Sequence, residues 1–584
     1  MAQKSSVEDT APGLVDKLIA QFTLNTEQAH AFRLVAEHAM GNQEQLPLHM
    51  FIGGAGGTGK SRVIEALSYF FQIRNETRRF RLSSYTGIAA RNISGMTLHT
   101  ALNLGQLKTM IEKNESRSRK ELIESWEGVD YLFIDEVSMV GCSMLVDISM
   151  ALGIAKESTA PFGGINVIFA GDFCQLPPVG DTPLYTAIES VTNKPSDSQT
   201  ENGQKKIKGL TLWHGISVVI LLSKSMRQSG QENERFRALL ERLRFGICTD
   251  DDVRLLKSRL LSKAEVNLNQ SCWRSAPIIT RSNVVKDALN LRGIQCMADE
   301  LHTTVNFYEA EDRHAGKKIS RGPLRDYLLG LHSGRTKHTM GRLPLLPGMP
   351  VIIGHNYDVH GGIVNGSEGI LKSVRYRIDE EGRRRATSCI VTVASASDDP
   401  LPHLPSCDVV VLEEDIRFTV PHPETGAQWS FVRKQLPILP AFSFTDYKAQ
   451  GKTLPNIIID LQSCTRLSSA YVMVSRATSL SGLLILRPFD ANKVRAHASQ
   501  DFRCDARRLL IHSLKTILSS PSEYSRHDEA TAQLAQSKHT MHSPQTRSMT
   551  PIPRGVDADM QPNGSSGSLS PYINVFLRLT LFEV

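Results

Sequence analysis

The run Gly54-Ala55-Gly56-Gly57-Thr58-Gly59-Lys60-Ser61 constrains the fold of this chain more than any other segment. It leaves the apolar stretch Met50-Phe51-Ile52, which reads as a buried strand. It enters a stretch with Val63, Ile64, Leu67, Phe70 and Phe71 at helical spacing. A strand, a glycine-rich turn ending in Gly-Lys-Ser and a helix make a P-loop. The glycines let backbone N–H groups turn toward phosphate oxygens, and the helix N-terminus adds partial positive charge. Gly54 through Ser61 are therefore the expected cradle of a nucleoside triphosphate. Lys60 is expected to bridge its β- and γ-phosphates and the Ser61 hydroxyl to ligate Mg²⁺. The bland alternative, a glycine turn with a stray Lys-Ser, does not explain the flanking strand and helix.

A P-loop needs a carboxylate at a neighbouring strand end. Tyr131-Leu132-Phe133-Ile134-Asp135-Glu136 gives four apolar residues and then two acids at the C-terminal tip, where parallel α/β sheets bind ligands. Asp135 is expected on Mg²⁺, directly or through water. Glu136 is expected to orient and deprotonate the attacking water. By itself such a pair reads equally well as an exposed acidic turn; beside a P-loop the catalytic reading prevails. Asn25-Thr26-Glu27-Gln28 fits a helix capping box, and the Gln28 amide also suits recognition of an adenine edge. The two readings are compatible, and local sequence does not choose between them.

Buried-strand candidates recur at 131–134, 167–170 and 218–222, alternating with helical patterns, which predicts a parallel sheet covered on both faces. The segments are read as a loose leader over 1–20, a first α/β domain over 21–215, and a second over 216–365 and 435–515. Between the halves of the second, 366–434 holds short β-rich runs split by Pro and Gly and is read as a small inserted β-barrel. The polar stretch 190–208 is expected to be a disordered loop, and 516–584, rich in Ser, His, Gln, Pro and Thr, a disordered tail. Within that tail, 572–584 alternates like a strand.

With 584 residues, several domains are expected, and 41% hydrophobic residues suffice for buried cores. The net charge of +7 is compatible with nucleic acid without identifying it. Nine scattered cysteines, an odd number with no CxxC pair, argue against a disulfide framework, and no zinc site is readable. The opening MAQKSSVEDTAPG has no apolar core, so no signal peptide is expected, and no apolar run is long enough for a membrane span.

Further on come Pro161-Phe162-Gly163-Gly164, the run from Gly171 to Gly180 (GDFCQLPPVG), Met226-Arg227-Gln228, the GSEG run ending at Gly369, TDYKAQGKTL from Thr445, and YVMVSRATSLSGL from Tyr471. In this order, with the P-loop and IDEVSM, they resemble the petite-integration-frequency (Pif-type) DNA helicases of superfamily 1, from about Phe22 to about Phe489. The wording TDYKAQG is most similar to the branch associated with eukaryotic Helitron transposons. The resemblance implies two RecA-like motor domains with an SH3-like β-barrel inserted in the second. It also implies an ATP- and Mg²⁺-dependent helicase moving 5′ to 3′ on single-stranded DNA and acting at duplex junctions.

The resemblance also assigns roles. Gln28 is similar to the family's adenine-reading glutamine, and Gln175 to the residue that couples the γ-phosphate to movement. Arg227 and Arg476 resemble arginines presented by the second motor domain, where each by itself would read as a surface ion pair. Thr86, Gly87 and His99 in the first domain, and Thr445, Lys448 and Gln450 in the second, resemble its DNA contacts; a buried Thr-Gly turn and a solvated lysine are the plain alternatives. Tyr447 stands where better-known members carry His, and is expected to alter the contact with DNA or with Gln175. The basic runs Arg78-Arg79-Phe80-Arg81 and Arg383-Arg384-Arg385 read as solvated faces. A monomer is expected, in the nucleus or else the mitochondrion, in DNA repair, recombination, telomere maintenance or a transposon-derived role. The competing readings are a catalytically idle, transposon-derived DNA-binding remnant and a P-loop signalling ATPase; ATPase assays with and without DNA separate them.

Overall fold

A computed structural model describes residues 11–41, 45–113, 116–192, 198–228, 230–357, 363–394, 396, 404–422 and 426–519. Strands β1 (His49–Gly54), β2 (Phe80–Ser84), β3 (Met96–Thr97), β4 (Tyr131–Asp135), β5 (Asn166–Gly171) and β6 (Val218–Leu222) form one sheet in the order β3-β2-β4-β5-β1-β6. All neighbouring pairs are parallel. Successive strand side chains point to opposite faces. Phe51, Leu132, Ile134, Phe169 and Val219 accordingly pack on one side, and Met50, Ile52, Phe133, Ile168 and Ile220 on the other. Helices Thr26–Met40 and Lys60–Ile73 cover the second side; Cys142–Ala155 and Glu201–His214 cover the first. Burial on both faces is why these strands read as unbroken apolar runs.

A second parallel sheet has the order Ser443–Thr445, β7 (Ile278–Thr280), Ile457–Ile459, Leu483–Ile485. Between its first two segments in sequence the chain builds antiparallel structure. One sheet has five strands: Asp408–Leu412, Arg384–Thr392, Glu368–Ile378, Pro350–Ile353 and Ile438–Pro440. Another has four: Lys317–Lys318, Glu311–His314, Gln428–Gln435 and Glu414–Pro421. The β-rich insertion therefore begins at Asn306, well before the expected 366: Asn306–Glu309 pairs with Arg342–Leu345, and Glu311–His314 with Gln428–Gln435 more than 100 residues later.

Several expected boundaries are corrected. The supposed leader contains a helix, Ala11–Gln21, whose Val15 and Leu18 are buried beside Phe32. Of the loop expected at 190–208, 193–197 lies outside the described residues, but Glu201–His214 is a helix capped by the Thr200 side chain. Its Leu210 and Trp213 are buried, and Gly209 lies so near the Cys142 carbonyl that an added Cβ would sit 2.2 Å from that oxygen. The first unit does not end at 215, because β6 pairs with β1. The helix Gln500–Leu518 returns to the first unit: Thr516 Oγ1 accepts from Val219 N at 3.1 Å, and Asp505 accepts from Trp213 Nε1 at 3.4 Å. The expected tail from 520 on, with its strand-like end at 572–584, lies outside the described residues. Among the described residues no helix is long and apolar enough to cross a membrane.

Candidate functional site

The P-loop joins β1 to the helix Lys60–Ile73. Gly57 and Gly59 have φ of +91° and +83°, the left-handed region that glycine enters without strain. At Gly57 the demand is also steric, since a Cβ there would lie 2.5 Å from Arg227 Cβ. The Lys60 ammonium donates to Gly54 O at 2.7 Å and Ala55 O at 3.1 Å. Burial holds its pKa below the ordinary lysine value although Asp172, Asp135 and Glu136 pull it upward.

Gln28 forms the expected capping box and also reaches the P-loop. Its backbone and side chain complete a capping box with Asn25, and its Nε2 donates to Thr58 O in the P-loop at 3.0 Å. Asp135 ends β4, and Glu136 follows with φ +57°. Burial, and then the adjoining Glu136 carboxylate, push the Asp135 pKa upward.

Three polar side chains converge over the loop. A Cβ built on Gly56 would lie 3.2 Å from Arg227 Nη1, 3.2 Å from Arg476 Nη2 and 3.6 Å from Gln175 Nε2. Arg227 donates to Ser475 O at 3.0 Å, Gln228 to Ala477 O at 2.9 Å, and Met226 N to Gly57 O at 2.7 Å. Burial, then Arg476, pushes the Arg227 pKa down to about 10. Both arginines were expected on the second unit; Arg476 follows its helix Leu467–Ser475. Arg227 lies on the segment leaving β6 of the first sheet, since β6 itself belongs there.

The resulting cleft, about 360 Å³, is lined by Gly56, Lys60, Asp135, Glu136, Gln175 and both arginines, among others. A second cleft of about 350 Å³ adjoins it, lined by Thr86, Gly87, His99, Lys448 and Gln450 together with Tyr85, Asn356, Asn365 and Tyr447. Glu136 lines both. Gln450 crosses between the units and donates its Nε2 to Glu136 Oε2 at 2.9 Å. Lys448 donates to Asn365 Oδ1. Thr445 is the one expected contact residue outside this lining: it is 8% exposed at the end of its strand. Tyr447 lines the second cleft with the Arg281 guanidinium over its ring, 5.2 Å from the centroid.

The two basic runs are not free faces. Arg78 and Arg81 donate to Glu127 O and Ser125 O at the end of the helix Arg117–Trp126. Arg383 and Arg385 pair with Asp379. A larger apolar cavity of about 790 Å³, lined by Trp273, Cys296, Met297 and Phe442, lies apart from both clefts.

Sequence reasoning missed Arg244, and it quoted Met226, Asp172 and Tyr471 without giving them a role. Asp172 is buried and accepts from Arg244 Nη2 and from Tyr471 OH, each at 2.9 Å. Burial opposes its ionisation, but Arg244 and Lys60 outweigh it and hold the carboxyl below its ordinary range. Nothing in the spacing of residues 172, 244 and 471 signals that they meet.

A P-loop on one parallel α/β unit, faced by an arginine carried on a second, defines a two-unit P-loop nucleotide-binding protein. Residues 23–254 match the family model for PIF1-like helicases. The chain is 28% identical to the ATP-dependent DNA helicase PIF1 of Xenopus laevis over 82% of its own length and 63% of the relative's. To the human protein of that name it is 27% identical, over 76% and 59%. It thus spans less than two thirds of these curated relatives. Among solved structures, Candida albicans Pif1 superposes with a TM-score of 0.58 at 23% identity, covering 84% of this chain and 99% of that one. A Bacteroides Pif1 in complex with ADP-AlF3 and single-stranded DNA gives 0.57 at 20%, covering 83% and 96%. Over residues 23–254 the chain is similar to the PIF1-like helicases, and over most of its length to the relatives and solved structures just named.

Proposed function

We propose that this chain is an ATP-driven DNA helicase that moves 5′ to 3′ on single-stranded DNA and opens duplexes at junctions. The observation that carries the reading is the shared wall of the two clefts: Glu136 faces the P-loop on one side and is held by Gln450 of the neighbouring cleft on the other. Hydrolysis and occupancy of the second cleft then act on the same side chain. The relatives named as ATP-dependent DNA helicases support the choice of ligands.

In this reading Lys60 and the P-loop N–H groups bind the triphosphate, and Gln28 sits beside the nucleoside end. Arg227 and Arg476 neutralise charge on the transferred phosphoryl, and Glu136 takes the proton of the attacking water. Ser61 and Asp135 would hold the Mg²⁺ that accompanies the nucleotide, supplying charge neutralisation on the phosphates. The donor set suits that cation: a hydroxyl beside the P-loop and a carboxyl buried against a second carboxyl, where a positive charge is favoured. Among the described residues no cluster of three or more His, Cys, Asp or Glu could hold a metal unaided, which fits a cation that arrives with the nucleotide. Thr86, Gly87, His99 and Lys448 would contact DNA phosphates and stacked bases without reading sequence. The antiparallel insertion corresponds in this reading to the family's SH3-like unit. The chain acts as a monomer, in nuclear or mitochondrial DNA upkeep.

ATP hydrolysis is measured with and without single-stranded DNA, and unwinding on two tailed duplexes that differ only in which end is single-stranded. The expected result is DNA-stimulated hydrolysis and unwinding from the 5′ tail. Hydrolysis indifferent to DNA, or unwinding from the 3′ tail alone, overturns the directional helicase and leaves a P-loop ATPase. No hydrolysis at all leaves the idle remnant.

A further inference from the structure

Three segments each carry one side chain to the nucleotide cleft: Gln175 after β5, Arg227 after β6, and Arg476 after the helix Leu467–Ser475. We propose that Asp172, Arg244 and Tyr471, behind that cleft, form a positioning triad that sets these three segments against one another for hydrolysis. The inference rests on the ATPase reading above.

Asp172 lies three residues before Gln175, and Tyr471 five before Arg476. Arg244 is in the last turn of the helix Glu234–Phe245, and Arg237 of the same helix donates to Gln228 O and Gly230 O, bracing the Arg227 segment. Both carboxylate oxygens of Asp172 are engaged: Oδ1 accepts from Arg244 Nη2 and from Cys174 N at 3.1 Å, and Oδ2 from Tyr471 OH. The Asp172 side chain is 1% exposed. A buried carboxylate is tolerated when a cation neutralises it and its lone pairs are satisfied. Here the acid, the cation and the hydroxyl come from three elements, so the requirement is met only when those elements are in register. None of the three lines the nucleotide cleft, so the triad acts through the residues it places.

The test compares the full chain with Tyr471→Phe, Arg244→Lys and the double variant. ATP turnover is measured over a range of ATP at saturating oligothymidylate, and hydrogen exchange in peptides covering 172–176 and 471–476. Tyr471→Phe keeps the buried ring and removes only the hydroxyl, so it separates positioning from core packing. Each single change is expected to lower kcat by about tenfold to a hundredfold, as displaced catalytic groups do. KM for ATP should move by less than about threefold, because ground-state binding contacts remain. Exchange should quicken in both peptides, and the double variant should lose no more than the worse single one, because the residues act as a unit. A Tyr471→Phe variant with wild-type kcat, additive losses, or a rise in KM alone would overturn the triad. A wild type without turnover overturns the ATPase reading instead; exchange then decides the triad, and unchanged exchange in the variants sinks it.

Discussion

Gln450 donates its side-chain amide to Glu136 Oε2 at 2.9 Å across the interface between the two parallel units. Its Oε1 is buried without a hydrogen-bond partner among the described residues, and the following Gly451 and Thr453 line the nucleotide cleft. A shift of the segment 445–453 on binding DNA would therefore move Glu136, the proposed base. Gln450→Ala is expected to lose most of the stimulation of ATP turnover by single-stranded DNA, about tenfold, the scale of a modest coupling free energy. Full stimulation in that variant would show that this hydrogen bond carries no coupling.

Chemistry at the P-loop gives the plainest expectation. Lys60→Ala removes the cation aimed at the phosphates and should lower turnover by at least about a hundredfold. Glu136→Gln keeps the shape and loses the base, so it should bind a non-hydrolysable ATP analogue with near wild-type affinity yet fail to turn over ATP. Titration calorimetry and a phosphate-release assay check the pair, and normal turnover by Glu136→Gln removes Glu136 from the role of base.

Lys448 gives the second cleft a pH dependence. Burial, then Lys452 and Lys286, lower its pKa to about 8. The amine is charged below that pH and becomes neutral as pH rises through it, whereas a phosphate in the cleft favours the charged form. DNA binding then takes up a proton, and affinity falls as pH rises from about 7 to about 9. Fluorescence anisotropy at constant ionic strength should show this fall in the wild type and a flat profile in Lys448→Arg. The slope of log Kd against log salt should shrink by roughly one unit in Lys448→Met.

The insertion depends on a buried ion pair. Arg433 meets Asp312 with two hydrogen bonds, of 2.7 and 2.8 Å, and also donates to Thr339 O and Leu328 O. Its side chain is fully buried. Arg433→Met leaves the Asp312 carboxylate buried and unneutralised, which costs about 3–5 kcal/mol, and adding Asp312→Leu should restore most of it. The urea midpoint of the Trp429 fluorescence transition, read in a background with Trp126, Trp213 and Trp273 changed to Phe, checks both; a single variant as stable as that background would show that the pair does not hold this sheet.

The sequence by itself determined the local chemistry. The P-loop after an apolar strand, the acidic pair after another, and the capping box at Gln28 are patterns of a few adjacent residues, set by backbone geometry and side-chain periodicity within one turn or strand. Burial on both sheet faces made the strands of the first unit legible as apolar runs. The tertiary structure decided what depends on pairing between distant segments. It put β6 in the first sheet, so Arg227 belongs to that unit's exit. It started the insertion near 306, and it brought the helix Gln500–Leu518 back onto β6. It also joined Asp172 to Arg244 and Tyr471, and Glu136 to Gln450. Such contacts leave no periodic trace, because a hydrogen bond between residues tens to hundreds of positions apart constrains the fold in space and leaves the spacing along the chain free.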